Sequence, residues 1–405
     1  MRIVFICHYF PPEIGAPSAR IYEMAKCWVE LGNEVHVVTC FPNHPTGVIP
    51  EIYKGIRYKH EMMEGIHIHR NYVYATPNKG FIKKCLGHIS FMFSSVVFSM
   101  KKINKPDVII TSSPTFFSMF SGYYYSLREK APFILEIRDL WPAAIIELGV
   151  MKEGLLTNIL EKMELFFYRK SKRLIMVTSS FKDNVVRRGI NADKVYVITN
   201  GVNQEMFYPR VKNQSLIQKY GLKNKFIISY MGAHGISQNL GTILKVAKKL
   251  KTDEDIHFLF IGEGAEKDQL KKIAKEENIN NVTFIDSQAK EMMPDFYCIS
   301  DICLIPLKNI EIFKTFIPSK MFEIMACGIP IVASLEGESA DILKESNAAL
   351  VVEPDDSEAI KKALLELKNN EVLYRQLKEN GPKFVEENYS RKKLAEKYLE
   401  IISNI

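Results

Sequence analysis

The sequence predicts an α/β protein made of two doubly wound units. Short apolar runs alternate with helical segments along the whole chain. The 405 residues exceed what one ordinary core organises. A turn-rich stretch, Asn200-Gly201-Val202-Asn203, divides the chain near its middle. Short apolar strands separated by helices mark parallel sheets covered on both faces.

The elements follow in order. Ile3–Cys7 reads as a strand at the very start of the chain. Ser18–Leu31 is helical, with Ile21, Met24, Ala25, Trp28 and Leu31 on one stripe, and Gly32-Asn33 ends it. Strands are expected at Val35–Thr39, Val108–Ile110, Phe133–Ile137, Leu174–Val177 and Val195–Ile198. The second half repeats the theme. Phe226–Met231, His257–Ile261, Val282–Ile285 and Ile302–Ile305 read as strands, with helices at Leu240–Leu250 and Ala265–Glu277. A last helix, about Gly381–Ile402, lies beyond the second sheet pattern and is expected to return to brace the first unit.

The segment Phe316–Ser334 carries the most chemistry. It reads as a loop, a short helix, a turn and a buried strand. Pro318 suits a first helical turn, Gly328 suits a C-terminal cap, and Pro330 stands where a helix cannot continue. Lys320 and Glu323 are three apart and share one face of that helix. A lysine at a helix start attracts phosphate, and a nearby carboxylate can accept ribose hydroxyls. The same spacing also fits a solvated ion pair.

Composition sets limits. An apolar fraction of 47% with 25% charged residues is that of a soluble globular protein. Seven scattered cysteines, none in metal-ligand spacing, are expected to be reduced, buried thiols of a cytosolic protein. The N-terminus lacks the features of a signal peptide. The net charge of +7 is uneven: residues 1–205 carry +8 and the remainder −1. The basic half suggests an anionic partner, a membrane surface or nucleic acid. Lys83-Lys84 and Lys101-Lys102 bracket an apolar stretch, Cys85–Met100, too short to span a bilayer. It reads either as a buried helix or as an interfacial helix anchored by lysines. Phe166-Phe167-Tyr168 beside Arg169, Lys170, Lys172 and Arg173 repeats the aromatic and basic theme. The basic residues fall in no nucleic-acid motif, so nucleic acid is not expected as a partner.

Ligands of open α/β sheets bind beyond the carboxyl ends of the strands. The loops there are His8–Arg20 with Gly15, Arg138-Asp139-Leu140-Trp141-Pro142, Ser229–Leu240 with Gly232, His234 and Gly235, and Gly262-Glu263-Gly264. Glycines in such loops let backbone N–H groups approach a ligand.

These residues together resemble the retaining glycosyltransferases of the GT-B fold, glycosyltransferase family 4. The likeness spans nearly the whole chain. It rests on the Gly15 loop, Asn200-Gly201-Val202 with Phe207 and Pro209, Gly262-Glu263-Gly264, Val282-Thr283-Phe284, Asp301–Pro306 and Pro318–Pro330. The Pro42–Gly47 turn, the Arg138–Pro142 turn and the Gly232–Leu240 loop resemble a branch that builds O-antigen, capsule or colanic-acid units, including fucosamine transferases.

The resemblance implies two Rossmann-like domains facing a cleft, with a C-terminal helix crossing back to the first. Residues 1–203 with 386–405 would bind the acceptor and 204–385 the nucleotide-sugar. Glu323 would accept ribose hydroxyls. Lys320, Pro318, Ser319 and the following N–H groups, with Gly232, His234 and Gly235, would face the diphosphate. Gly262, Glu263 and Phe284 would frame the base. Gly15 would approach the donor, Arg20 would assist at the diphosphate, and Arg138 and Asp139 would stand where acceptor and sugar meet. Four positions depart from the family pattern: Thr315 replaces a first glutamate, Ala233 and Gln238 stand near the usual Arg and Lys, and Ser112-Ser113-Pro114 replaces a histidine.

The expected reaction is metal-independent, retaining transfer of a sugar, of the N-acetyl-fucosamine kind, from a UDP-linked donor to a polyprenyl-diphosphate-linked saccharide. It would take place on the anionic inner face of the cell membrane, without cofactor. A nucleotide-sugar epimerase and a non-catalytic subunit binding a glycan or protein are the alternatives.

Overall fold

Each run of apolar strands closes into its own sheet. The computed structural model describes all residues except 14, 45, 77–80, 114, 144–145 and 147–150, and only the backbone of 81–82. Ile14, Pro45 and Pro114 of the motifs above therefore lie outside the described residues. Met1–Asn200 with Arg391–Ile405 form one compact unit, and Gly201–Ser390 form the other.

The first unit holds an eight-stranded sheet. Its strands are β1 (Arg2–Ile6), β2 (Glu34–Cys40), β3 (Tyr58–Met63), β4 (Ile66–Asn71), β5 (Val108–Ser112), β6 (Phe133–Ile137), β7 (Arg173–Met176) and β8 (Val195–Val197). The order is β3-β4-β2-β1-β5-β6-β7-β8. Only β3 runs antiparallel, paired with β4. This hairpin is absent from the sequence expectation because its strands are rich in His, Lys and Glu. Its turn was nevertheless written in the chain: Glu64 (φ 48°) and Gly65 (φ 81°) both take the positive φ that a tight hairpin demands.

The second unit holds β9 (Phe226–Met231), β10 (Ile256–Ile261), β11 (Val282–Ile285), β12 (Ile302–Pro306), β13 (Ile331–Ser334) and β14 (Ala349–Val352). Its order is β11-β10-β9-β12-β13-β14, with every pair parallel. The strand sequence reverses at β9, as it does at β1 in the first unit. Crossovers that leave in opposite directions open a crevice at the carboxyl ends beside each reversal. The helix Lys320–Ala326 precedes β13, as its sequence predicts. Gly328 (φ 68°) donates its N–H to Met325 O at 2.9 Å, and Ile329 donates to Ile324 O at 3.3 Å. This pair of bonds closes the helix end, and the left-handed φ suits glycine.

The chain's end differs from expectation. The single helix expected over Gly381–Ile402 is two helices, Glu371–Asn388 and Arg391–Ser403. The first stays in the second unit. A Cβ on Gly381 would lie 2.8 Å from Met325 O, so glycine here permits close packing on the helix Lys320–Ala326 rather than starting a helix. The second belongs to the first unit: Trp28 Nε1 donates to Ala395 O at 2.9 Å, and Arg391 pairs with Glu23.

The helix Phe81–Ser94 continues through a wider turn to Ser99. Phe91 and Met100 are core residues, whereas Leu86, Phe93 and Val97 are 48%, 62% and 56% exposed. The segment thus packs one face into the core and leaves an apolar face exposed. All seven cysteines are free thiols, with Cys27 and Cys85 only partly buried.

Arg20 is corrected from ligand contact to structural clamp. Its guanidinium is buried and donates from Nε and Nη2 to Glu136 Oε2 at 3.1 and 3.0 Å. The remaining donors reach Ile198 O (2.8 Å), Thr199 O (2.6 Å) and Asn200 Oδ1 (3.3 Å). The planar fork thus joins the helix after β1 to the ends of β6 and β8. Arg20→Met leaves the buried Glu136 uncompensated. It is expected to cost about 3–5 kcal/mol in urea unfolding; a loss under about 1 kcal/mol would contradict the clamp.

Candidate functional site

In the second unit the loops after β9 and β10 interlock through glycines. Gly232 (φ 139°) and Gly262 (φ 143°) adopt conformations closed to side chains. A Cβ on Gly262 would meet Gly232 O at 1.9 Å, and one on Gly264 would meet His234 O at 2.3 Å. His234 N–H donates to Glu263 O at 2.8 Å, and Glu266 N–H donates to His234 O at 2.9 Å. Gly235 N–H is capped by Gln238 Oε1 at 3.2 Å.

Lys320 comes to the same place from the far side of the strand reversal. Its Nζ donates to Met231 O at 2.9 Å and lies 4.1 Å from the Tyr230 ring centroid. A Cβ on Gly232 would stand 3.0 Å from that Nζ, so the absence of a side chain there keeps the ammonium approachable. An ammonium has three donors, and Met231 O engages one of them. Burial pulls the Lys320 pKa down to about 8, against weaker upward pulls from Cys303 and Glu323. Glu323, one turn on, accepts the Tyr297 hydroxyl at 3.1 Å on Oε2. Tyr230 and Tyr297 are the residues that sequence reading missed. Tyr230 sat in plain view before the Gly232 loop, whereas nothing in the chain links Tyr297, on the helix Met293–Ile299, to Glu323.

The other expected donor residues divide. The exposed Glu263 pairs with Lys267 Nζ at 2.6 Å, and Asp286 takes the same ammonium at 2.6 Å. Phe284 stacks on Phe260 with centroids 5.2 Å apart. Pro318 and Ser319 open the helix, accepting from Met321 N–H and Phe322 N–H at 3.0 and 3.2 Å. Those two N–H groups, expected to face a diphosphate, are thus turned back into the first turn. His234 is also corrected. Its imidazole is fully buried beside Tyr230, Phe260 and Phe284, and neither nitrogen has a hydrogen-bond partner. Burial lowers its pKa to about 4. Its backbone locks the two glycine loops while its ring packs the core. Thr315, in place of a glutamate, returns its hydroxyl to Ile312 O at 2.7 Å.

In the first unit a pocket opens at the strand reversal. Cys7, His8 and Tyr9 after β1, Ser112, Ser113 and Thr115 after β5, and Arg138 after β6 line it. Gly15 (φ 149°) begins the adjoining helix, Ala16–Glu30. Burial lowers the Arg138 pKa, with Glu136 as the strongest opposing pull. Burial raises Asp139 to about 6, against a downward pull from Arg138. A carboxylate near neutrality beside a desolvated guanidinium can exchange a proton with a bound hydroxyl.

Two doubly wound domains, each with polar groups at its strand reversal, define the GT-B class of glycosyltransferases. The chain belongs to it: residues 18–206 match glycosyltransferase family 4, and residues 212–384 match the glycosyl transferases group 1 family. WcaI of Escherichia coli (strain K12), named as a glycosyl transferase of colanic acid biosynthesis, is 27% identical over 391 residues, covering 92% of this chain and 94% of its own. Among solved structures, sucrose-phosphate synthase of Thermosynechococcus elongatus superposes with a TM-score of 0.73 at 17% identity, covering 100% of this chain and 98% of that one. HepE of Anabaena, solved with UDP and glucose, superposes with a TM-score of 0.73 at 13% identity, covering 100% and 99%.

The lowered pKa of Lys320 has a consequence for stability. Below pH 8 the lysine is charged in both folded and unfolded chains, and folding bears its desolvation. Between about 8 and the ordinary 10.5 the folded chain binds fewer protons, so this cost fades as pH rises. Ligand-free Lys320→Met is therefore expected to exceed the native chain by about 2 kcal/mol at pH 7, and by less at pH 9.5. Urea unfolding at both values checks this; a difference independent of pH would contradict it.

Proposed function

We propose that this glycosyltransferase moves a sugar from a nucleotide-sugar, UDP-linked, to a polyprenyl-diphosphate-linked saccharide, with retention and without a metal ion, in the building of a surface polysaccharide. The observation that carries the proposal is Lys320, partly desolvated beneath Gly232 at the strand reversal of the second unit. A preorganised ammonium in low dielectric is suited to the charge that develops on a departing nucleoside diphosphate. Glu323, steadied by Tyr297, accepts the ribose hydroxyls, and Phe284 flanks the base. The UDP of HepE and the colanic-acid role in the name of WcaI agree with this donor and pathway class.

In the first unit Arg138 and Asp139 serve the acceptor. The acceptor hydroxyl attacks the anomeric carbon on the face from which the diphosphate leaves. The carbon–oxygen bond to phosphate breaks as the new glycosidic bond forms, and the hydroxyl proton passes to the departing phosphate. Configuration is thereby retained.

Lys320→Ala is expected to reduce transfer on the order of 10²–10³-fold, and Glu323→Ala to weaken donor binding, with circular dichroism unchanged in both. Normal turnover would sink the assignment. Diphosphate binding must also raise the Lys320 pKa. Near pH 8 UDP should therefore be bound with net proton uptake, seen as a calorimetric heat that varies with buffer ionisation enthalpy. Uptake that persists in Lys320→Met would place it elsewhere.

A membrane-bound acceptor calls for a docking face. Leu86, Phe93 and Val97 form one exposed stripe, bracketed by the exposed pairs Lys83-Lys84 and Lys101-Lys102. A second stripe, Leu155, Leu156, Ile159 and Phe166, carries exposed Lys162, Arg169 and Lys170. Apolar stripes with basic flanks suit an anionic interface. Among the described residues no helix is long and apolar enough to cross a membrane. Replacing Leu86, Phe93 and Val97 together by Ser should cut co-sedimentation with anionic liposomes several-fold and leave the melting temperature unchanged. Equal sedimentation would refute this face. Phe91 belongs to the core and is unsuited to the test.

A further inference from the structure

The β3-β4 hairpin, unforeseen in the sequence, creates a second chemical centre. His36 and His67 are register partners on β2 and β4, and His60 and His69 are partners on β3 and β4. Side chains two apart share a sheet face, so four imidazoles from three adjacent strands gather on one side. The His36 and His67 rings stack with centroids 4.6 Å apart and planes at 23°. His36 Nε2 lies 2.8 Å from Glu34 Oε1. Glu34, His36 and His67 each offer a ligand atom within 4.8 Å of the others.

We infer that Glu34, His36 and His67 form a binding site for a borderline transition-metal ion of the zinc class. Neutral imidazole and carboxylate are the donors such ions prefer. The surrounding groups supply the orienting bonds that metal-ligating histidines need. His36 Nδ1 lies 3.0 Å from His69 Nε2, and His69 Nδ1 lies 2.8 Å from the Tyr58 hydroxyl. His67 Nδ1 lies 3.2 Å from His60 Nε2, which leaves His67 Nε2 for the metal. Arg2 Nε stands 2.9 Å from the second carboxylate oxygen of Glu34 as an ion pair.

Metal binding at His36 Nε2 places the ring proton on Nδ1, where it donates to His69 Nε2. His69 then donates from Nδ1 to the Tyr58 oxygen. The rearrangement is confined to tautomers and one hydroxyl rotation, with no net change in protons. Ligands now 2.8 Å apart must open to about 3.3 Å, the edge of a tetrahedron at zinc–nitrogen distances. Glu34 is exposed and can make this shift. The site lies at the amino ends of β2 and β4, opposite the carboxyl-end pocket, so its role is to tie the edge hairpin to the sheet rather than to serve transfer.

The test uses the untagged full chain stripped of metal by a chelator. Cobalt(II) should bind in one equivalent with the intense visible bands of a four-coordinate site, and one equivalent of zinc(II) should displace it and raise the melting temperature. His67→Ala, at a half-buried position, and Glu34→Gln, at an exposed one, should each weaken binding at least 10-fold, while His44→Ala beyond the opposite end of β2 leaves it unchanged. A pale six-coordinate spectrum in the native chain, or native affinity in both variants, would overturn the site. Transfer activity measured alongside should be insensitive to zinc; zinc-dependent transfer would overturn the structural role.

Discussion

A parallel sheet that reverses strand order at one central strand leaves one place uncovered. Crossovers on either side of β1 and of β9 leave in opposite directions, so the carboxyl ends beside them stay open. The Lys320 site and the Arg138 pocket both follow from that constraint. Met231 ends β9, and Lys320 opens the helix after β12, so a lysine eighty-nine positions away in sequence reaches a carbonyl across the reversal. Cys7, Ser112 and Arg138 follow β1, β5 and β6, and they line a pocket at the equivalent place.

Burying charge at such a place has costs, and the molecule meets them in two ways. Arg20 and Glu136 are fully enclosed, and every guanidinium donor has an acceptor, so the pair serves as architecture. Lys320 and Asp139 are left with their charged forms disfavoured, Lys320 pulled to about 8 and Asp139 raised to about 6. Groups so perturbed are poised for a ligand that restores the missing field. The same reasoning separates His234 from Lys320: both are desolvated, but the imidazole is sealed among aromatic rings and the ammonium lies under a glycine.

The glycine interlock fixes the shape of the loops after β9 and β10 through their own backbones. Gly262 against Gly232 O and Gly264 against His234 O leave no room for a Cβ, so these backbones sit at a separation other residues cannot reach. That holds the Gly232 loop over Lys320. The basic, apolar-striped helices of the first unit are the complementary feature, exposed where the core has no use for them.

Local pattern and composition determined a good deal by themselves. The alternation of apolar runs and helices, the cap at Gly328, the division near Asn200 and the Lys320–Glu323 helix were all legible, because each depends on neighbours within a few residues. Tertiary structure alone decided the rest. Arg20 looked like a ligand residue until Glu136, 116 positions on, closed around it. The helix to Ile402 is broken at Tyr389-Ser390, where Val202 N–H donates to Tyr389 O and Val202 bridges Ser390, and the two halves pack in different units. Four histidines became one cluster only when β2, β3 and β4 paired. Charge state and ligand geometry depend on distances between residues far apart in the chain, and sequence spacing does not contain those distances.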